Sequence, residues 1–247
     1  MEIKEYKTMY EVEDSHFWYR GMRMITKSLF DKYLHCDSHL QILDAGCGTG
    51  RNLIFLKNYG RAHGLDISAE AIRFCKRRGL QDVVIGSIER LPFDDNSFDL
   101  ITSFDVLYHK KVINHSKAIE EFYRVLKPEG IIFIRVPAFQ FLLSSHDLAV
   151  YTKHRFHKAE LRDIIEFEKF EILKISYINF LLFPVIALKR IFIKSLSLKN
   201  NQNSDTNRVN ILLNFFLLVP LYLESLLIKY IDFPFGLSLI VMARKKK

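Results

Sequence analysis

Three glycines spaced by two, Gly46, Gly48 and Gly50, stand directly behind the apolar run Leu40–Asp44, and this turn constrains the chain more than any other feature. Glycine permits backbone torsions that other residues avoid and lets a ligand approach the main chain closely. A strand feeding such a turn and then a helix is the ligand-binding corner of an open α/β sheet. The rest of the chain keeps that rhythm. Leu40–Asp44, Ala62–Ile67, Asp82–Ile88, Phe98–Phe104 and Ile131–Val136 read as strands, with helices over Asn52–Asn58, Ser68–Arg78 and Ser116–Leu126. Such alternation predicts a parallel sheet covered by helices on both faces. Lys158–Phe167 then reads as a helix, Phe170–Tyr177 as a sixth strand and Phe235–Ala243 as the last, while Ala138–Phe156 is loop-like. A length of 247 residues fits one α/β domain with elaborations better than two. We divide it into a helical lid (1–36), a core (37–178 and 234–247) and an apolar insertion (179–233).

The turn is not a P-loop, because Arg51 and Asn52 follow Gly50 where a lysine is required. Its spacing is not that of the dinucleotide turn either. Asp66 ends the second strand, about twenty residues on, where a carboxylate can accept both hydroxyls of a ribose. The plainer alternative is an acid placed at a helix N-terminus.

Four motifs in order carry a resemblance. Ile42–Gly50, then Gly64-Leu65-Asp66-Ile67-Ser68, then Ser87–Phe93 with Phe98–Ile101, then Arg124–Gly130 resemble those of class I S-adenosylmethionine (SAM)-dependent methyltransferases. The pattern is most similar to the small-molecule enzymes that include those of quinone biosynthesis. The resemblance implies a Rossmann-like sheet of seven strands, mostly parallel with an antiparallel last strand, and SAM as cofactor. It implies that Asp44, Gly46, Cys47, Gly48 and Gly50 hold the methionine end of SAM and Asp66 the ribose. Ile67 would pack on adenine, with Ser87 and Ile88 at its edge and Phe104 closing the fourth strand. Ser87 departs from the commonest pattern, which has Asp, and a hydroxyl binds the adenine amino group less strongly. Phe17-Trp18-Tyr19-Arg20 resembles the helix that covers SAM, so that Tyr19 and Arg20 would close over the methionine carboxylate; an aromatic staple onto the core is the alternative.

Methyl transfer from a sulfonium needs proximity, orientation and, for a hydroxyl acceptor, a base. His109 follows the fourth strand at the ligand edge and is one candidate; a packing or capping histidine is the other explanation. His146-Asp147 with Tyr151, His154 and Arg155 forms a second group, in which Asp147 could orient an imidazole. Alternatively the loop is a polar lid, or Lys153 and Arg155 recognise a phosphate or carboxylate on the acceptor. The spacing matches no established metal-ligand motif, so no metal is expected.

Asn179–Ile193 and Val209–Leu223 are apolar on nearly every face, joined by the polar stretch Lys199–Arg208. A helix hydrophobic all round must be buried in protein or lipid. Each uncharged run is short of the roughly 20 residues that span a bilayer. We therefore expect an antiparallel hairpin lying in the membrane interface, its basic flanks and the tail Arg244–Lys247 reaching anionic headgroups. A homodimer interface is the alternative. The formal charge of +8 agrees with an anionic partner. Nucleic acid is not expected, since no Asn-Pro-Pro-Tyr-type base-reading motif occurs. Cys36, Cys47 and Cys75 form no disulfide framework, and Met1–Glu5 carries no signal-like apolar stretch, so a cytoplasmic setting at the inner membrane face is expected. These features favour SAM-dependent methylation, at oxygen, of a hydrophobic or lipid-linked small molecule. A soluble enzyme for a polar metabolite or sugar, and a catalytically silent SAM-binding protein, are the competing readings.

Overall fold

The computed structural model describes residues 1–34, 39–195 and 209–246. Seven strands, β1 (Leu40–Ala45), β2 (Gly60–Asp66), β3 (Val83–Ile85), β4 (Phe98–Phe104), β5 (Leu126–Pro137), β6 (Phe170–Ile178) and β7 (Ser238–Lys245), form one sheet ordered β3-β2-β1-β4-β5-β7-β6. The pairs β3-β2, β2-β1, β1-β4 and β4-β5 are parallel, and β7 runs antiparallel between β5 and β6. This is the Rossmann-like sheet with a reversed last strand that the resemblance implies. Ile42, Leu43, Ile132, Phe133 and Ile134 are buried whichever face they point to, because helices cover both sides. β3 is shorter than expected, and its Val84 and Ile85 are exposed, as befits an edge with a single neighbour.

Helices α1 (Ile3–Val12) and α2 (Phe17–Tyr33) replace the single helical stretch anticipated at the N-terminus. The break falls at His16, whose Nδ1 accepts the Trp18 N–H and caps α2. Helices α3 (Arg51–Leu56), α4 (Ala69–Arg77) and α5 (His115–Val125) lie between the strands. The stretch read as loop holds a 3-10 turn (Gln140–Leu142) and α6 (Ser145–Ala149), followed by α7 (Lys158–Phe167).

The insertion contributes α8 (Phe183–Ser195) and α9 (Ile211–Leu227); its polar link lies outside the described residues. Among the described residues the principal contacts of the two helices are with other elements. α9 packs on α2, and α8 on the 3-10 turn. Gly21 makes the first contact possible, since a Cβ there would stand 2.3 Å from Leu221 Cδ1. Asn214 Oδ1 accepts the Phe17 N–H at 2.7 Å, and its Nδ2 donates to the Ser15 carbonyl. Glu224, fully buried, accepts the N–H groups of Asn179 and Phe180 at the end of β6. Satisfying these orphan backbone groups fixes α9 more firmly than apolar contact alone. No described helix is long and apolar enough to cross a membrane.

The C-terminal basic residues are not beside the insertion. Ser238 pairs with Pro137 and Arg244 with Ile131, so β7 carries Arg244 and Lys245 to the opposite edge of the sheet. Lys245 is buried there, and its Nζ donates to Asn96 Oδ1 and to the Tyr123 and Leu126 carbonyls. An antiparallel final strand inevitably ends where the parallel strands begin.

Candidate active site

A cavity of about 1540 Å³ opens at the carboxyl edge of the sheet, between the glycine loop and the helices α1, α2, α8 and α9. The loop's shape is set by left-handed torsions, φ 96° at Gly46, 55° at Gly48 and 85° at Gly50. A Cβ on Gly46 would meet Val106 Cγ2 at 2.2 Å. The amides of Gly46 and Cys47 donate to the Leu65 carbonyl, and the Gly50 amide to that of Cys47. The Gly48 amide donates to Asp66 Oδ2 at 2.9 Å. These four N–H groups are spent inside the protein and are not offered to a phosphate.

Asp66 lines the cavity and is mostly buried. Burial raises its carboxyl above the ordinary range, and the Ser68 and Gly48 amides draw it back. A carboxylate offers about four lone-pair sites, so two amides leave acceptor capacity for hydroxyls. Ile67, Ser87, Ile88 and Phe104 also line the cavity. Ile67 is 44% exposed, an apolar surface that a flat ligand would cover. Ser87 Oγ accepts the Glu89 N–H. Asp44 lies beneath the loop rather than along the cavity: Oδ1 accepts from Thr102 Oγ1 at 2.8 Å, and the buried Oδ2 has no partner. Burial pushes its carboxyl up to about 7.

Tyr19 lines the cavity, whereas Arg20 is exposed and does not. The contact with the loop comes instead from Glu13, which the sequence reading did not single out. Its Oε1 accepts from Thr49 Oγ1 and, at 2.6 Å, from Arg78 Nη2. Arg78 also donates to the Thr49 carbonyl and stacks over Tyr10, 4.2 Å from its centroid. This buried network clamps α1 onto the loop. His16 also lines the cavity, its buried Nε2 without a partner. No local signal distinguishes either residue among the polar residues of that stretch.

Of the candidate bases, His109 lines the cavity and His154 does not. His109 Nδ1 accepts the Lys111 N–H at 3.1 Å, and Nε2 lies 2.9 Å from the Met1 amino nitrogen. Burial, then the nearby cations, depress its pKa to about 4. His154 Nε2 instead faces Glu160 Oε2 at 2.9 Å. Asp147 lines the cavity, but its carboxylate is committed to an arginine where the sequence suggested a histidine. Arg155 Nε donates to Oδ1 at 2.9 Å and Nη2 to Oδ2 at 3.1 Å, while Ser144 Oγ also donates to Oδ2. Both partners are buried. α6 contains His146, whose side chain is outside the described residues.

A second ion pair joins a buried arginine to a half-buried carboxylate. Arg135 of β5 donates through Nε and Nη2 to Asp105 Oδ2, at 2.9 and 2.6 Å, and lies over Phe104. The signal was present: one arginine inside an otherwise apolar strand must find a carboxylate. Asp105 takes φ 58° to meet it, a torsion uncommon outside glycine. Among the described residues no group of His, Cys, Asp and Glu could hold a metal ion.

The sheet order and this cavity define the class I methyltransferase fold. Residues 43–134 match the methyltransferase domain family, and the cofactor of the domain is S-adenosylmethionine. A Methanocaldococcus jannaschii protein of uncharacterised function is 36% identical over 138 residues, 55% of this chain and 52% of its own length. A Mycolicibacterium smegmatis protein described as a probable S-adenosylmethionine-dependent methyltransferase is 24% identical, over 67% of this chain and 64% of its own. The chain thus spans between about half and two thirds of these relatives. The solved structure of a Thermotoga maritima SAM-dependent methyltransferase superposes with TM-score 0.62 at 18% identity, covering 99% of this chain and 96% of that one.

Proposed function

We propose that the chain is a SAM-dependent methyltransferase acting at oxygen on a hydrophobic or lipid-linked small molecule. The observation that carries this reading is the extent of the cavity. It begins at Gly46–Thr49 and Asp66 and continues to Val185 and Ile186 of α8 and Leu213 and Leu217 of α9. Bound SAM supplies a methyl group already activated on a sulfonium. The protein's work is then positioning and exclusion of water. Asp66 holds the ribose hydroxyls, Ile67 and Ile88 pack on adenine, and the Glu13–Thr49–Arg78 network keeps α1 closed over the loop. On this reading His109 takes the hydroxyl proton, which requires the tautomer that gives up the Lys111 N–H.

The same reading seats α8 and α9 on a lipid surface. Leu212, Phe215 and Phe216 are 70, 63 and 67% exposed, and the single charged residue of α9, Glu224, is buried. Residues 179–233 carry six basic against three acidic side chains, which complements anionic headgroups.

Incubation with methyl-labelled SAM and a total lipid extract tests the function. Label should enter the organic phase; label confined to the aqueous phase identifies a polar acceptor instead. Co-sedimentation with phosphatidylserine vesicles tests the surface. The intact chain should pellet and a Phe215→Ser/Phe216→Ser variant should not. An intact chain that stays in solution as a dimer burying this face assigns it to the interface between copies.

A further inference from the structure

Arg135 and Asp105 bind each other and still leave a donor and an acceptor open to the cavity, which both residues line. Arg135 Nε and Nη2 donate to the same oxygen, Asp105 Oδ2, at 2.9 and 2.6 Å. Arg135 Nη1 and Asp105 Oδ1 have no hydrogen-bond partner among the described residues. Neither is one of the fully enclosed polar atoms that lack a partner, so both open on the cavity. Phe104 lies under the guanidinium, its centroid 5.2 Å away, and the Asp105 N–H donates to the Arg135 carbonyl at 2.9 Å. A guanidinium carries five N–H donors, and one on a residue only 7% exposed calls for acceptors on those left over.

The pair stands beside the glycine loop, where the strand order reverses. β1 has β2 on one side and β4 on the other. Ligands of open α/β sheets lie across the carboxyl ends of the strands at such a point. Val106, next to Asp105, fills the space over Gly46, where a Cβ would meet its Cγ2 at 2.2 Å. Arg135 is near enough for its charge to act on Asp44, beneath the loop, and on Arg23 of α2. SAM carries adenine on one side of its ribose and the methionine zwitterion on the other. With the ribose on Asp66 at the end of β2 and the adenine toward Ser87 and Ile88 beyond β3, the zwitterion runs over the loop toward β4. Asp105 is the first residue after that strand. Arg20, the cation expected at the methionine carboxylate, is exposed and does not line the cavity.

We propose that Arg135 and Asp105 clamp the amino-acid end of SAM, Arg135 Nη1 donating to its carboxylate and Asp105 Oδ1 accepting from its ammonium. An ion pair with one free donor and one free acceptor matches a group that carries both charges; a lone anion or a lone cation would meet one like charge. The inference rests on the placing of SAM in the functional reading above and adds the two side chains that read its charged end.

Calorimetry on the full chain with S-adenosylhomocysteine, its analogues lacking the carboxylate or the amino group, and methylthioadenosine, which lacks both, tests the clamp. A charge-assisted hydrogen bond changes affinity by at least about tenfold, so wild type should bind S-adenosylhomocysteine at least about tenfold more tightly than either single-charge analogue. Asp105→Asn keeps an oxygen for Arg135 and turns the free acceptor into a donor. It should weaken S-adenosylhomocysteine and the carboxylate-free analogue at least about tenfold and leave the amine-free analogue within about twofold. Arg135→Gln should give the crossed result, weakening S-adenosylhomocysteine and the amine-free analogue and sparing the carboxylate-free one. Methylthioadenosine should bind both variants as it binds wild type. Losses shared by every ligand, or by none, overturn the clamp. If a variant fails to fold, wild type decides: single-charge analogues that bind as tightly as S-adenosylhomocysteine overturn the clamp, and a loss for both supports it. Label that never enters the organic phase fails the functional reading and keeps the clamp; methylation of lipid without the crossed pattern does the reverse.

Discussion

Glu224→Ala should release α9 from the sheet, and its cost follows from what the carboxylate holds. Glu224 is fully buried and accepts the Asn179 and Phe180 N–H groups, the latter at 2.8 Å. Alanine leaves one buried and one partly buried donor unpaired, at about 1–3 kcal/mol for the buried one and less for the other. Relief from burying an acidic group offsets part of this, so a net loss of about 2–4 kcal/mol is expected. In a chain of this size each kcal/mol lowers Tm by about 2–4 °C, giving a drop of about 4–16 °C. The pH dependence gives a second measure. Burial raises the Glu224 pKa from the ordinary 4.5 to about 7. The native state therefore holds this proton more tightly than the unfolded chain does. The stability so gained is complete below about 4.5 and disappears as pH rises through about 7, roughly 3 kcal/mol over the window. Thermal melts of wild type and variant at pH 5, 6, 7 and 8 measure both quantities. The wild type should lose stability across that range more steeply than the variant. Leu213 and Leu217 of α9 line the cavity, so acceptor methylation should fall before SAM affinity does. A variant melting within 1 °C of wild type at pH 6, with an unchanged pH slope, refutes the anchoring role.

Asp66→Ala should weaken SAM at least about 100-fold, since two hydrogen bonds to a charged acceptor are worth about 1.5–3 kcal/mol each; calorimetry showing unchanged affinity removes Asp66 from the site. Asp147→Asn uncovers the buried Arg155 charge and should destabilise by about 3–5 kcal/mol; unaltered urea unfolding with abolished turnover would instead make Asp147 the partner of a catalytic base. His154→Ala should leave kcat within about twofold and cost at most about 1 kcal/mol, because its pair with Glu160 is partly exposed and off the cavity; a large fall in kcat at constant SAM affinity contradicts that placement.

The strands and helices around the cofactor were legible because their signals are local. The glycine turn, the apolar run before it and Asp66 lie within one βαβ unit, and backbone torsion and alternation of apolar segments specify them without reference to distant chain. β4 and α7 were legible to the residue for the same reason. The reversed last strand and the individual cofactor roles came from resemblance, which carries tertiary information that periodicity does not.

What the sequence by itself determined is therefore the kind of sheet, the place of the cofactor corner and the presence of two helices too apolar to stand alone in water. Only the tertiary structure decided what those helices touch. α9 could be paired with α8 or with α2 by composition alone; the small face at Gly21, the Phe17 N–H and the Ser15 carbonyl choose α2, and the Asn179 and Phe180 N–H groups anchor α9 to the end of β6. Charge pairing was equally undetermined, because an ion pair is set by distance in space. Asp147 goes to Arg155 rather than to a histidine, Arg135 crosses to Asp105 from the neighbouring strand, and Lys245 is carried away from the insertion by the direction of β7. Each outcome depends on which groups the fold buries together, since a charge removed from water takes the partner within reach and not the one nearest in sequence.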